Sequence, residues 1–202
     1  MNSRKTAIFR LDLTAQATLY FSMKSFSPAF LVCLLFSTIV IAQPDGIKGK
    51  IISNYGETLK VSDIDIETDV SAEFKVIFDV AKSSDDKSII NKYIITAARF
   101  LNMHADAGMD TNQLKVAITI HGGAWQDVLS NEAYREKFGV DNPNVELINQ
   151  LTEAGADIII CGQTAEFHGI TKQNANPNVK FALSAMTALL QYQQNGYTFI
   201  KF

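Results

Sequence analysis

The sequence is poor in the residues that break or staple a chain. Its 202 residues include 4 Pro, 11 Gly, 2 Cys, 3 His and a single Trp. So little Pro and Gly excludes a collagen-like or low-complexity disordered chain. Two cysteines cannot build a disulfide-stapled scaffold. Basic charge is scarce as well. Residues 1–42 hold Arg4, Lys5, Arg10 and Lys24 against Asp12 alone, which leaves residues 43–202 with 14 basic and 20 acidic side chains. An acidic body without clustered Lys and Arg excludes nucleic acid as the main partner, because phosphate contacts depend on such clusters. The phosphate-loop pattern GxxxxGK[ST] and the nucleophile elbow GxSxG are missing, and GGAWQD departs from the dinucleotide fingerprint GxGxxG. The three histidines are dispersed, so no metal site and no cofactor is expected. His104 reads as a partly buried helix residue, and His168, before Gly169, as a helix-end residue.

What is present begins with an address. From Met23 the chain reads MKSFSPAFLVCLLFSTIVIAQPDG: one Lys, an apolar stretch, then small residues before polar ones. This is the anatomy of a secretory signal peptide, with the cut expected after Ala42. Residues 1–22 make a long charged leader, and translation is expected to start at Met23. The competing reading is an uncleaved anchor, but the apolar core is shorter than the roughly 20 residues a spanning helix needs. A periplasmic or otherwise exported protein is expected, soluble and off the membrane once the signal is cut. Cleavage removes Cys33, so Cys161 becomes the sole thiol.

Residues 43–70 read as an extended arm or edge strand, and residues 71–202 as one domain. The alternation DIDIETDV places Asp63, Asp65, Glu67 and Asp69 on one strand face. A calcium loop fails there, because Thr68 stands where Gly is required and Phe74 where a bidentate Glu should close the loop. Beyond it, β-branched runs alternate with helical periodicity. Strands are expected at 74–80, 114–120, 156–161, 179–183 and from Tyr197, and helices at 87–107, 131–138, 141–155, just after Gln163, and at 184–195. Asp141 or Asn142 is the expected cap of the third helix, with Pro143 in its first turn and Gly155 as its stop. Strands alternating with helices imply a three-layer α/β/α sandwich around a mainly parallel sheet of about five strands.

Ligands of an open parallel sheet bind beyond the carboxyl ends of its strands. Two ends carry suggestive residues: His121-Gly122-Gly123 after the second strand and Cys161-Gly162-Gln163-Thr164 after the third. A helix beginning near Thr164 would favour a thiolate at Cys161 through its free amides and positive end. The plainer reading makes Cys161 a small buried apolar side chain. His121 could bond a substrate or Cys161, or anchor the turn into Gly122-Gly123. Trp125 could wall a pocket beside His121 or simply pack.

The succession FKVIFDV, ARFLNMHADAG, KVAITIHGGAW, EAYREKFGVDNPNVELINQL, IIICGQTAEFHGI and VKFALSAMTALLQYQQNGYTFI resembles the DsrE/DsrF-like family of sulfur-relay proteins, in an exported branch. The resemblance implies a compact α/β sandwich forming homo-oligomers, trimers or hexamers, with active cysteines near subunit contacts. It assigns Cys161 as a sulfur carrier holding sulfane sulfur as a persulfide, with Gly162 and Gln163 as its loop and His121, Gly122 and Gly123 lining the same pocket. The sulfur donor and acceptor are not identified by the sequence. Two other functions compete: a non-enzymatic oligomeric small-ligand-binding protein, and a thiol redox sensor using the same sulfur.

Overall fold

The structure, a computed structural model, describes residues 46–201. The expected leader, signal peptide and cut after Ala42 lie outside that range. Among the described residues, no helix is long and apolar enough to cross a membrane.

The β-branched run Phe74–Val80 forms β1, and LKVAITI forms β2 (Leu114–Ile120). They are followed by β3 (Asp157–Cys161), β4 (Val179–Ala182) and β5 (Thr198–Ile200). All five pair in parallel, in the order β4-β3-β2-β1-β5. The helices are α1 (Lys92–Asp106), α2 (Asn131–Phe138), α3 (Val145–Glu153), α4 (Gly162–His168) and α5 (Ala185–Gln194).

Side chains of a strand alternate between faces, so each strand serves two cores. On one face Val76, Phe78, Ile118 and Ile160 bury against Ile94, Ala98 and Leu101 of α1 and Leu147, Ile148 and Leu151 of α3. On the other, Ile77, Ala117 and Ile159 bury against Ala188 of α5. This is the expected three-layer α/β/α sandwich, with a sheet that is wholly parallel. Its layers are unequal: the second core is small, and Leu183, Met186 and Leu190 stay 72%, 73% and 60% exposed along its cover.

Several boundaries differ from the sequence pattern, each for a local reason. The helix expected from Lys87 starts at Lys92, because Asn91 caps it by accepting from the Tyr93 N–H. Just before it, the Asp86 carboxylate accepts from the Ser88 N–H and hydroxyl and holds a turn. The helix expected from 141 starts at Val145, because Asn142 turns inward and donates to the carbonyls of Asp127 and Leu129. A 3-10 segment over Gly122–Val128 had no periodic signal. The last strand is short, ending at Ile200. DIDIETDV forms no strand; Ile64 and Ile66 are exposed, and Asp69 accepts from Ser71 in a turn. Without a partner strand, alternation alone satisfies no backbone group.

Residues 46–59 double back through a bridge between Ile47 and Thr58 and lie on α1. Asn102, fully buried in α1, is the clamp. Its Oδ1 accepts from the N–H of Ile51 and Ile52, and its Nδ2 donates to the carbonyls of Ile52, Tyr55 and Gly56. A single amide thereby satisfies five backbone groups that no regular element would pair.

A second polar hub ties together the loops at the carboxyl edge of β1 and β2. Asp127 is 1% exposed and accepts from the Ser83 hydroxyl at 2.6 Å, Asn91 Nδ2 at 2.6 Å and Asn144 Nδ2 at 3.3 Å. Burial pushes its carboxyl up to about 6, against the lowering effects of Ser83, Asn91 and the Lys87 charge. The folded state therefore keeps a proton that the unfolded chain releases near pH 4. Stability supplied by protonated Asp127 is full at low pH and is lost as pH rises to about 6, by up to about 3 kcal/mol. Urea unfolding at several pH values should show this loss between about pH 4 and 6, and Asp127→Asn should flatten it. An unchanged slope in the variant would contradict the assignment.

Candidate functional site

β3 ends at Cys161 and α4 starts at Gly162, with no residue between them. β4 ends at Ala182, and α5 starts at Ala185. Ala165 of α4 belongs to the first core and Ala188 of α5 to the second, so the chain leaves these neighbouring strands toward opposite faces. Such a switch point opens a crevice at the carboxyl ends of the strands. Cys161, paired with Ala182 across the ladder, stands in it.

The seam is tight. A Cβ on Gly162 would collide with the Ala182 carbonyl oxygen and come within 3.0 Å of the Leu183 oxygen. Glycine is required here for close approach of backbone to backbone. The Gln163 amide bridges the same gap by donating to the Leu183 carbonyl at 3.4 Å.

Cys161 is 6% exposed, and burial by itself raises its pKa. The Thr164 hydroxyl and the N–H groups of Thr164, Ala185 and Gln163 act against burial and prevail, leaving the thiol below its ordinary value. Gln163 and Thr164 open α4 and Ala185 opens α5, so the groups that lower the thiol pKa belong to two helix starts. Thr164 Oγ1 in turn accepts from the Gly122 N–H at 3.3 Å, which ties the exit of β2 to the same group. Gly122 makes the turn at φ +54° and Gly123 lies beside the Ala81 carbonyl, so the two glycines let the chain leave β2 sharply.

The expected residues are only partly brought together. Gly162 and Gln163 follow Cys161 directly at the start of α4, and Gly122 reaches Thr164 of the same helix. His121 does not bond the sulfur: its Nε2 lies 2.8 Å from Asp79 Oδ1 on β1. Asp79 is 5% exposed, and its second oxygen accepts from Lys201 at 2.8 Å. Trp125 stands apart from both. It stacks on His168 at 4.3 Å between ring centroids with Lys137 over its face, and it lines a cavity with Leu129, Ala133 and Asn174. The Thr164 hydroxyl, the Ala185 amide, Asp79 and Lys201 were not singled out from the sequence. For Asp79 a signal existed: it is the sole acid within the apolar run FKVIFDV.

Among the described residues, no group of three or more His, Cys, Asp or Glu is placed to hold a metal. A cavity of about 770 Å³ lies between α1 and the β1–β5 edge, lined among others by Phe74, Phe78, Phe100, Lys92 and Arg99.

A sequence model described as the DsrE/DsrF-like family matches residues 75–202. Among solved structures, the chain is similar to MTH1491, a protein of unknown function from Methanobacterium thermoautotrophicum. That match has 15% identity and a TM-score of 0.49, covering 64% of this chain and 100% of that one. It is also similar to the ychN protein from E. coli at 12% identity and a TM-score of 0.45, covering 64% of this chain and 99% of that one. No curated protein matches.

Since the Thr164 hydroxyl lowers the Cys161 pKa, Thr164→Val should raise it and move the pH profile of Cys161 alkylation to higher pH. Near neutral pH the reaction should slow several-fold. An unmoved profile would contradict the donor set.

Proposed function

The chain belongs to the DsrE/DsrF-like family, and from that premise we propose that it is an exported sulfur carrier that holds sulfane sulfur as a persulfide on Cys161. What supports this reading is that the Cys161 thiol, at the switch point of the sheet, lies below its ordinary pKa in spite of burial. A buried thiol stabilised as the thiolate by the Thr164 hydroxyl and three amides is a nucleophile in waiting rather than a filler of apolar space.

The chemistry needs no redox partner. The Cys161 thiolate attacks the outer sulfur of a donor persulfide, a new S–S bond forms, and the donor's own S–S bond breaks with its electron pair leaving on the donor thiolate. An acceptor thiol then attacks the outer sulfur, and Cys161 leaves as the thiolate, stabilised by the same amides. The amides do not move between these steps, so their arrangement costs nothing at the moment of reaction.

A homo-oligomer is part of the same proposal. Leu183, Met186 and Leu190 form an exposed apolar strip beside the start of α5, whose first amide faces the sulfur. A second copy over that strip would shield apolar surface and the Cys161 crevice together. Donor and acceptor are thiol or persulfide compounds small enough, or exposed enough, to reach a sulfur at the sheet edge.

The aromatic cavity between α1 and the β1–β5 edge favours a second reading, a small-ligand-binding protein in which Cys161 only packs. One experiment separates the two. The full chain carrying Cys33→Ser is weighed by mass spectrometry before and after incubation with polysulfide, beside the same chain carrying Cys161→Ser as well. A gain of about 32 Da, reversed by reductant and absent without Cys161, is the expected result. No gain, together with a thiol that resists alkylation until the chain is unfolded, would refute the carrier reading and leave the binding protein.

A further inference from the structure

Three side chains stand in a row along the carboxyl edge of the sheet. Asp79 follows Ile77 by two residues on β1, and Cys161 follows Ile159 by two on β3; both isoleucines belong to the core beneath α5. The period of two therefore places Asp79 and Cys161 on the α5 face. His121 lies between them, one residue past Ile120, which pairs with Ile160 just before Cys161. Adjacent strands run about 4.8 Å apart, so His121 and Cys161 are lateral neighbours at the strand ends.

The dyad itself is built. Asp79 is 5% exposed, bonds His121 Nε2 at 2.8 Å, and meets Lys201 at 2.8 Å through its other oxygen. Using Nε2 for Asp79 leaves Nδ1 of a ring that is 30% exposed without a hydrogen-bond partner among the described residues. Beneath the dyad lies Thr119, in register with Asp79, and its fully buried hydroxyl also has no partner among those residues. A turn anchor would need neither a buried carboxylate nor a free second nitrogen. The pattern of an imidazole held at one nitrogen by a carboxylate, with the other nitrogen free beside a nucleophile, is that of a group that handles a proton.

We propose that His121, oriented by Asp79, delivers the proton to the thiolate that leaves when Cys161 accepts sulfur. This inference rests on the sulfur-carrier reading for its substrate. Cys161 reacts as the thiolate, and His121 enters the step protonated at Nδ1. The Cys161 sulfur bonds the outer sulfur of RS–SH, the S–S bond of the donor breaks, its electron pair goes to RS, and the Nδ1 proton goes with it. The Cys161 thiolate, the His121 imidazolium and RS–SH thus become Cys161–S–SH, neutral His121 and RSH, with no oxidant or reductant consumed. Asp79 is a positioning residue, which fixes the tautomer by accepting from Nε2–H, and Lys201 pairs the oxygen that His121 does not use.

The test uses thiol–disulfide exchange, so that proton delivery is read without sulfur transfer. The full chain carrying Cys33→Ser reacts with two disulfides. Bis(2-hydroxyethyl) disulfide releases an alkyl thiolate that needs a proton, whereas 5,5′-dithiobis(2-nitrobenzoate) releases an aryl thiolate that leaves as the anion. Adding His121→Gln, which keeps a donor for Asp79, should slow the first reaction by about tenfold or more and leave the second within about twofold. Imidazole added to His121→Ala should restore part of the first rate. Equal slowing with both reagents, or no slowing with either, would overturn the proposal. Selectivity between the reagents in a chain that takes up no sulfur would refute the carrier reading and leave the proton donor standing. Full sulfur loading without selectivity would do the reverse.

Discussion

The arrangement of the site depends on one close approach, that of the exits of β3 and β4. Only a residue without a Cβ fits between the Ala182 and Leu183 carbonyls, and Gly162 supplies it. Because the exits meet there, residues of both helix starts, Gln163 and Thr164 of α4 and Ala185 of α5, lower the pKa of one thiol. A thiol that is 6% exposed would ordinarily hold its proton. Here the donors outweigh the loss of water, and burial becomes an asset: with water excluded, each hydrogen bond to the sulfur is stronger than it would be in solution.

The parallel topology explains why this happens at one end of the molecule. Every strand points the same way, so every strand exit, with its turn residues and helix starts, lies along the same edge. Asp79 near the end of β1, His121 just after β2 and Cys161 at the end of β3 share this edge only because of that rule. The polar hub around Asp127 braces the neighbouring loops on the same side, joining Ser83 after β1 to the 3-10 segment after β2 and to the approach of α3. The Asn102 clamp holds the preceding segment against α1, away from the sulfur. Hydrogen-bonded loops around a tight seam brace this edge of the sheet.

The strands and the layer class were legible because β-branched runs and helical spacing carry them directly, as in FKVIFDV and LKVAITI. The place of Cys161-Gly162 at a strand exit was legible too, since a strand ending at 161 and a helix soon after it both show in the local pattern. The strand order was not, because it depends on which faces pack and not on local pattern. The helix starts at Lys92 and Val145 were misplaced because asparagines act through tertiary bonds: Asn91 caps and also reaches Asp127, and Asn142 turns inward to two distant carbonyls. His121 could not be paired with Asp79 before β1 and β2 were known to be neighbours. Trp125 was judged from its nearness in sequence to His121, whereas the 3-10 turn carries it round to His168.

Everything proposed for this site requires that the folded environment ionise Cys161 more readily than solvent does. The most direct test is to titrate the thiolate by its ultraviolet absorbance in the full chain carrying Cys33→Ser, native and then unfolded in urea. The account predicts a native midpoint at lower pH than the unfolded one. A native midpoint equal to or above the unfolded value would mean that burial wins, and would contradict it.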